Sequence, residues 1–124
     1  MRHIAYISMA NGLSAEEFAK ILDHARSSNE RKAIRGAIAY DGKMITQILH
    51  GPAEVVDRLY LRIMADERHS GVVMQSRADI ETSQFESFGL SRMSPYDLYA
   101  IAIAIEEKHG SGDSAIEPLV RRGD

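Results

Sequence analysis

The sequence contains no cysteine, and it has no large excess of charge of either sign. Without cysteine, disulfides, thiolate metal sites and cysteine nucleophiles are excluded together. The formal net charge is -3, and charged residues make up 27% of the 124 residues. This balance argues against a nucleic-acid-binding surface and against an acidic interaction tail.

Long hydrophobic runs are missing as well. No segment approaches the roughly 18 consecutive apolar residues of a membrane-spanning helix, and the apolar run near the N-terminus is too short for a signal peptide. We therefore expect no membrane association and a cytoplasmic location. A chain of this length can form one hydrophobic core and is too short for two.

The local motifs of common enzymes and metal sites are also absent from the sequence. There is no G-x-S-x-G, no Walker loop and no G-x-G-x-x-G. The five histidines include no i, i+4 pair with an acid between, so we expect no metal site. No set of nucleophile and base and no paired carboxylates stand out, and we predict that the chain is not an enzyme.

A β-hairpin is predicted between Ala33 and Gly51. Asp41 and Gly42 can form its tight turn, because both tolerate the positive φ angles of two-residue hairpin loops. On the second strand, the alternation of side chains places Gln47 in a row of apolar residues. A buried amide without partners costs about 1 to 3 kcal/mol, so Gln47 needs a hydrogen-bonding partner. That partner is either the backbone, as in an ordinary core glutamine, or a group in a binding site.

The apolar patterns predict an α+β fold with the element order β-α-β-β-α-β. Ser14 and Glu17 form a capping box at the start of the first helix, which ends in the polar stretch 26–29. The predicted strands cover residues 3–8, 34–40, 44–50, 72–80 and 88–93, and further helices begin near Pro52 and Ser94. This order is that of the ferredoxin-like βαββαβ sandwich, with two helices on one face of the sheet.

Both faces of this sheet need an apolar cover, so the C-terminal helix is expected on the face opposite the first two helices. We divide the chain into a domain of residues 1–93, which includes the added fifth strand, and a C-terminal helical extension of residues 94–124. The wide apolar surface of the C-terminal helix makes it the candidate for oligomerisation or partner binding.

Three polar residues are expected to meet between the sheet and its two helices. In the ferredoxin-like topology, strands one and three are neighbours, so Tyr6 and Gln47 can lie side by side near Asn29. Singly, Tyr6 is most simply a core aromatic, and Asn29 a helix-terminal residue in a left-handed conformation. Together they suggest a binding site between the helices.

The predicted space suits a planar polar ligand. Its walls include Ile21, Ile38 and Ile63, while a few polar groups point inward. An amide offers a donor and an acceptor, which matches a ring edge that alternates carbonyl and N–H, such as the pyrimidine edge of a flavin.

Three charged residues lie near the end of the second predicted helix, namely Arg62, Asp66 and Arg68. They can meet the phosphate and ribityl tail of such a ligand, because the arginine fork of donors suits phosphate. The alternative is a solvated helix end with ordinary surface charges.

These pieces resemble the BLUF family, the flavin-based blue-light sensor domains. The resemblance covers roughly residues 2–93 and is carried, in the right order and spacing, by HIAYIS, ILDHARSSN, AIRGAIAYDGKMITQILHG, LYLRIMADERH and QFESFGL. It implies non-covalent FAD or FMN as the cofactor. It also implies that Tyr6 donates an electron, that Gln47 lies between this tyrosine and the flavin, and that Asn29 holds the carbonyl edge of the flavin. Light would then rearrange the hydrogen bonds of Gln47 by rotation or tautomerisation.

The chain departs from the family pattern at several positions. Ser28 replaces the first residue of the usual Asn-Asn pair, Arg35 replaces a threonine and His50 replaces a glutamate. Phe88 and Leu90 stand where the family often has tryptophan and methionine on strand five. In the family, the signal usually leaves through strand five. The resemblance therefore implies that Phe88 and Leu90 are the signal-output residues.

From this resemblance we predict a blue-light photoreceptor whose light-driven Tyr/Gln/flavin rearrangement is passed to a partner protein. The alternative is a flavin-free BLUF-fold protein that serves as an interaction adaptor. We expect a homo-oligomer with no attached enzymatic domain and no nucleic-acid or membrane partner.

Overall fold

A computed structural model of the chain describes residues 1–10, 12–68 and 70–109. Its elements are β1 (Arg2–Met9), α1 (Ala15–Arg31), β2 (Arg35–Tyr40), β3 (Met44–Gly51), α2 (Ala53–Ala65), β4 (Ser70–Asp79), β5 (Ser91–Arg92) and α3 (Pro95–Lys108). The last part of the predicted C-terminal extension, residues 110–124, lies outside the described residues. No helix in the described ranges combines the length and the apolar character that crossing a bilayer requires.

The strands form a five-stranded sheet in the order β4-β1-β3-β2-β5. Strand β1 pairs antiparallel with β3 and β4, and β2 pairs antiparallel with β3. The short β5 runs parallel to β2. Strands β1 and β3 are neighbours, as the ferredoxin-like arrangement requires, and the predicted fold class is confirmed.

The alternation of side chains along β1 gives the sheet two different faces. Ile4 and Tyr6 belong to a core cluster with residues of α2, and a cluster on the same face contains residues of α1. Ala5 belongs to a cluster with Leu98 and Ala102 of α3. Because successive side chains of a strand point to opposite faces, α3 lies opposite α1 and α2, as predicted.

Helix α1 begins as predicted and ends later. Ser14 Oγ accepts a hydrogen bond from Glu17 N–H, and the Glu17 carboxylate accepts one from Ser14 N–H, both at 3.0 Å. The helix then continues past Asn29, so the predicted helix end and the left-handed conformation of Asn29 are wrong. Ala33 takes that conformation with a φ of 58°, and Ile34 N–H donates to the Asn29 carbonyl at 2.9 Å. This is a Schellman-type end without the usual glycine, so no residue type marks the stop of the helix there.

The hairpin between β2 and β3 forms, but its turn differs from the predicted one. Gly42 has a φ of 97°, whereas Asp41 does not have a positive φ. The Asp41 carboxylate instead accepts hydrogen bonds from the N–H groups of Lys43 at 2.9 Å and Met44 at 2.8 Å. Asp41 thus stabilises the turn through its side chain, and the glycine alone adopts the left-handed region here.

Strand β5 is shorter than predicted. It contains two residues, so Phe88 and Leu90 precede it instead of lying on it. Arg26 Nε donates to the Leu90 carbonyl at 3.0 Å, and the Leu90 side chain is buried in the core cluster of α1. Phe88 is 48% exposed, with the Arg35 guanidinium 4.5 Å from its ring centroid. The Arg26 side chain and a backbone bond from Gly89 N–H to the Ile34 carbonyl at 2.8 Å therefore hold this segment.

Candidate functional site

A cavity of about 290 Å³ lies between α1 and α2 over strands β1 and β3. This volume is at the lower end of the range for small-molecule sites. The apolar part of the wall comes from both helices, the central strands and the residues before α1. It consists of Leu13, Ile21, Ala25, Ile38, Ile45, Leu59 and Ile63.

The pairing of β1 with β3 places Tyr6 directly opposite Gln47. The Tyr6 hydroxyl donates to Gln47 Oε1, and both side chains are buried, with exposures of 2% and 6%. Burial is the main cause that raises the pKa of Tyr6, and the nearby Tyr60 and Asp66 raise it further. Tyr6 is therefore protonated at neutral pH, which is the state that this hydrogen bond requires.

Asn29 lies near the C-terminal end of α1 and is buried at the cavity wall. Its Nδ2 donates to the carbonyl of Gly89 at 3.3 Å. This bond orients the amide, so its Oδ1 is the acceptor that is left over. Asn29 consequently belongs to the cavity wall and also holds the segment that precedes β5.

The two amides leave complementary groups unused beside the cavity. Gln47 accepts through Oε1, and its Nε2 donor has no partner among the residues that the structure describes. Within the same residues, the Oδ1 acceptor of Asn29 has no partner either. Neither atom is fully enclosed by the protein, so both can meet a molecule that enters the cavity. A ligand edge that carries both an acceptor and a donor would satisfy Gln47 and Asn29, so these residues fit a flavin.

Charged residues gather at one side of the cavity. Helix α2 contributes Arg62, and the chain just beyond this helix contributes Asp66 and Arg68. Arg68 Nε lies 3.0 Å from both Asp66 carboxylate oxygens, and Arg68 Nη2 lies 2.5 Å from Oδ2. These hydrogen bonds raise the pKa of Arg68. Arg68 thus offsets the negative charge of Asp66, and Arg62 has no ion-pair partner among the residues that the structure describes.

All eight residues predicted to contact a cofactor line this cavity. They are Tyr6, Ile21, Asn29, Gln47, Arg62, Ile63, Asp66 and Arg68. The structure places these eight side chains around one cavity, and their roles in binding the cofactor stay predictions. The predicted output residues Phe88 and Leu90 are not among the lining residues of the cavity.

Three polar lining residues of α1 and its C-cap were not predicted, namely His24, Ser28 and Lys32. They are spaced four residues apart, so they follow one line along the helix. The sequence pattern predicts a helix end at residues 26–29, which leaves Lys32 outside the helix. Continuing the helical spacing from Ile21 through one more turn would have identified all three.

A second buried polar group lies on the opposite face of the same two strands. His3 is paired with His50, and His3 Nδ1 lies 2.8 Å from His50 Nε2. The chain continues from His3 Nε2 to Ser76 Oγ at 2.5 Å and from His50 Nδ1 to Ser83 Oγ at 2.6 Å. Burial, with a smaller contribution from His109, lowers the pKa of His3 to about 4. Burial and the neighbouring His3 lower the pKa of His50 to about 3, so both rings are neutral at pH 7.

These histidines do not form a metal site. Among the residues that the structure describes, no group of three or more histidine, aspartate or glutamate side chains could hold a metal ion.

The family model for BLUF, described as sensors of blue-light using FAD, matches residues 1–91. This match covers more than half of the chain, so the chain belongs to the BLUF family. The family predicted from the sequence is thereby confirmed. BLUF domains are blue-light sensor modules that bind flavin non-covalently.

The curated relatives are much longer proteins. Photoactivated adenylate cyclase subunit alpha from Euglena gracilis is 35% identical over 85 residues, which are 68% of this chain and 8% of that protein. Photoactivated adenylate cyclase subunit beta from Euglena longa is 33% identical over 79 residues, which are 63% of this chain and 9% of that protein. The chain thus spans about a tenth or less of these relatives.

Solved structures of similar fold include one chain that the match covers almost completely and others that extend well beyond the match. BlrB, a BLUF protein in its dark state, has a TM-score of 0.70 at 24% identity, with 98% of this chain and 92% of that chain covered. A bacterial light-regulated adenylyl cyclase has a TM-score of 0.70 at 26% identity, with 87% and 34% covered. The photo-activated state of BlsA has a TM-score of 0.69 at 26% identity, with 75% and 69% covered.

Proposed function

We propose that Tyr6, Gln47 and a flavin held in the cavity form the light-responsive unit of this blue-light sensor. The observation that carries this proposal is the buried hydrogen bond from Tyr6 to Gln47, beside a cavity in which the Gln47 amide nitrogen is unused. The ligand is FAD or FMN, bound without a covalent bond. When bound, the flavin absorbs blue light and accepts an electron in its excited state.

Different residues around the cavity contact different parts of the ligand. Asn29 Oδ1 and Gln47 Nε2 hold the polar edge of the ring, because one accepts and the other donates. Ile21 and Ile63 bury apolar surface of the ring. Arg62, Asp66 and Arg68 meet the ribityl and phosphate part, for which the donors of arginine are suited.

Tyr6 supplies the electron and the proton in the light reaction. Burial keeps the hydroxyl protonated in the dark, so the proton is available at the oxygen that faces Gln47. The same hydrogen bond gives the proton a defined acceptor on Gln47. Tyr6 thus gives up the electron and the proton, and Gln47 is the first residue whose hydrogen bonds change as a result.

Gln47 converts that change into a new pattern of hydrogen bonds. Its amide has a donor and an acceptor of similar size, so two arrangements of the group fill the same space. In the dark arrangement, Oε1 accepts from Tyr6 and Nε2 is directed to the ligand. After rotation or tautomerisation the pattern is reversed without net chemistry, which makes Gln47 a two-state element.

The signal leaves through the segment that carries Phe88 and Leu90. Asn29 holds this segment at the Gly89 carbonyl, and Arg26 holds it at the Leu90 carbonyl. A change at the cavity wall therefore reaches residues that directly precede β5 and α3. The output in this proposal is a change in how this segment is held.

The receiver of the signal in this proposal is another protein molecule, and the chain itself is not an enzyme. The C-terminal extension 94–124 serves as the contact surface for a partner or for a second copy, beyond a sensor domain of residues 1–93. Tyr96 and Tyr99 on α3 support this role, since 79% and 55% of their surfaces are exposed. We also propose a cytoplasmic location, which cell fractionation can test.

Absorption spectra test the proposal directly. The chain is produced with FAD supplied, and spectra are recorded in the dark, after blue light and during dark recovery. We expect a yellow protein whose flavin band shifts reversibly to longer wavelength. Gln47→Leu should retain flavin and lose the shift, whereas the exposed Gln84→Leu should behave like the unsubstituted chain.

Two outcomes would contradict the proposal. A full red shift in Gln47→Leu would remove Gln47 from the mechanism. A colourless protein that takes up no added flavin would favour the interaction adaptor, a BLUF fold that works without cofactor.

A further inference from the structure

Positive charge is concentrated at the mouth of the cavity. Lys32, the C-cap residue of α1, and Arg62 of α2 both line it, and no ion pair is formed by either residue within the described ranges. The acid in the lining, Asp66, is paired with Arg68. Two cations on separate helices are thus left without a counterion at the opening of an otherwise largely apolar space.

The charges around Lys32 disfavour its positive form. The pKa of Lys32 is lowered, first by partial burial and then by the charges of Arg62, Arg31 and Arg58. Lys32 is therefore close enough to three arginines to be repelled by them. An anion between α1 and α2 would relieve this repulsion, and a neutral ligand would not.

We propose that Lys32 and Arg62 form a two-sided phosphate clamp, which makes the site selective for phosphorylated flavins over riboflavin. This inference rests on the proposed flavin site and adds a specificity-determining role for Lys32, which the sequence analysis did not identify. The ring of the ligand contacts Asn29 and Gln47, and its phosphate contacts the two cations. FMN and riboflavin share the ring and differ in the phosphate, so they separate the two contributions.

The test measures the affinity of flavin-free chain for riboflavin, FMN and FAD by quenching of flavin fluorescence. At low salt we expect FMN and FAD to bind about tenfold more tightly than riboflavin, as charge-assisted hydrogen bonds to phosphate predict. Added salt should weaken FMN and FAD binding and leave riboflavin binding unchanged, because only the former depends on charge attraction.

Three variants locate the effect. Lys32→Gln and Arg62→Gln should each lose most of the preference for FMN while keeping the affinity for riboflavin. Lys20→Gln is the matched control, because Lys20 lies on the same helix with 79% of its side chain exposed. Lys32→Gln should also raise the thermal midpoint of the flavin-free chain, since it removes a repelled charge. That measurement shows as well whether the variant folds.

The possible results separate this inference from the function on which it rests. Equal affinities for riboflavin and FMN, together with a normal red shift, would overturn the clamp and leave the photoreceptor proposal intact. An equal loss of affinity for all three flavins in Lys32→Gln would also overturn the clamp. A chain that binds no flavin would overturn the clamp and the proposed function together.

Discussion

The two faces of the β1–β3 pair each carry a buried polar contact, and these contacts differ in how completely they are bonded. On one face, Tyr6 donates to Gln47, and the amide nitrogen of Gln47 has no partner within the described residues. On the other face, His3 and His50 bond to each other, and Ser76 and Ser83 bond their outer nitrogens. Both contacts arise from directly opposed residues three positions apart on the same ladder.

This difference separates a ligand site from an internal structural contact. A buried polar group is stable when its hydrogen bonds are complete, and the histidine chain achieves this within the protein. Gln47 does not, within the described residues, although its burial is similar. Unused bonding capacity next to a cavity therefore distinguishes the two faces better than burial or residue type does.

The largest expected effect tests the sheet face that carries Tyr6 and Gln47. Tyr6→Phe should abolish the light-induced red shift, because the electron donor and the hydrogen bond to Gln47 are both lost. The free energy of unfolding should fall by only about 1 kcal/mol, as for a typical hydrogen bond. Light-minus-dark spectra and a denaturant titration measure the two quantities.

Tyr40→Phe is the control for this substitution, because the Tyr40 hydroxyl donates to the Ala10 carbonyl at 2.8 Å, away from Gln47. It should lose similar stability and keep the full red shift. Equal photoresponses in the two variants would contradict the assignment of Tyr6.

The next effect tests the sheet face that carries His3 and His50, through the dependence of stability on pH. Folding lowers the pKa of His3 from 6.5 to about 4 and that of His50 from 6.5 to about 3. Below pH 6.5 the unfolded chain therefore takes up protons that the folded chain does not. The contribution of these two histidines to the free energy of unfolding should be constant above pH 6.5. It should fall as the pH drops toward 4 and 3.

A matched pair of variants assigns this pH dependence to the histidine chain. The double variant His3→Leu with His50→Leu removes both partners, which is tolerated better than removing one. Its stability should vary less between pH 6.5 and 4 than that of the unsubstituted chain. The exposed His24→Gln serves as the control, and an equal flattening by it would contradict the assignment.

A smaller effect is expected at Asn29. Asn29→Ala removes the bond to Gly89 and the acceptor beside the cavity, so flavin affinity should fall about tenfold. Ser28→Ala, one position earlier on the same helix, is the comparison and should change affinity by less. An unchanged affinity in Asn29→Ala would mean that Asn29 does not contact the ligand.

The smallest expected effect concerns a position outside both faces. Ala33 holds a φ of 58°, which is costly for a residue with a Cβ. Ala33→Gly should therefore raise the free energy of unfolding by about 0.5 to 1 kcal/mol, after the greater flexibility of glycine in the unfolded chain is counted. The red shift should not change, and a lower stability would show that the strain at Ala33 is negligible.

Features set by neighbouring residues were predictable from the sequence. The capping box of Ser14 and Glu17 and the hairpin around Gly42 depend on contacts within a few positions. The positions of Tyr6 and Gln47 followed from the period of two along strands and from the expected topology. Their chemical roles came from the family resemblance, because an amide in an apolar row is equally compatible with an ordinary core.

Features set by distant contacts were missed. Helix α1 continues to Arg31 because the chain then turns at Ala33, a residue that carries no stop signal. Strand β5 is short because Gly89, with a φ of 111°, interrupts the extended backbone, and its carbonyl accepts from the distant Asn29 instead. The pairing of His3 with His50 follows from the same register that sets Tyr6 against Gln47, but its hydrogen bonds to Ser76 and Ser83 join residues far apart in the sequence.

The bond between Asn29 and Gly89 has a thermodynamic consequence for signalling. One side chain is shared by the cavity wall and by the segment before β5, so ligand binding and docking of that segment are coupled equilibria. Coupling of this kind is reciprocal. A partner that holds residues 88–90 against α1 would tighten flavin binding, and flavin would favour that partner by the same factor. Cofactor affinity measured with and without a partner would then report the strength of the signal itself.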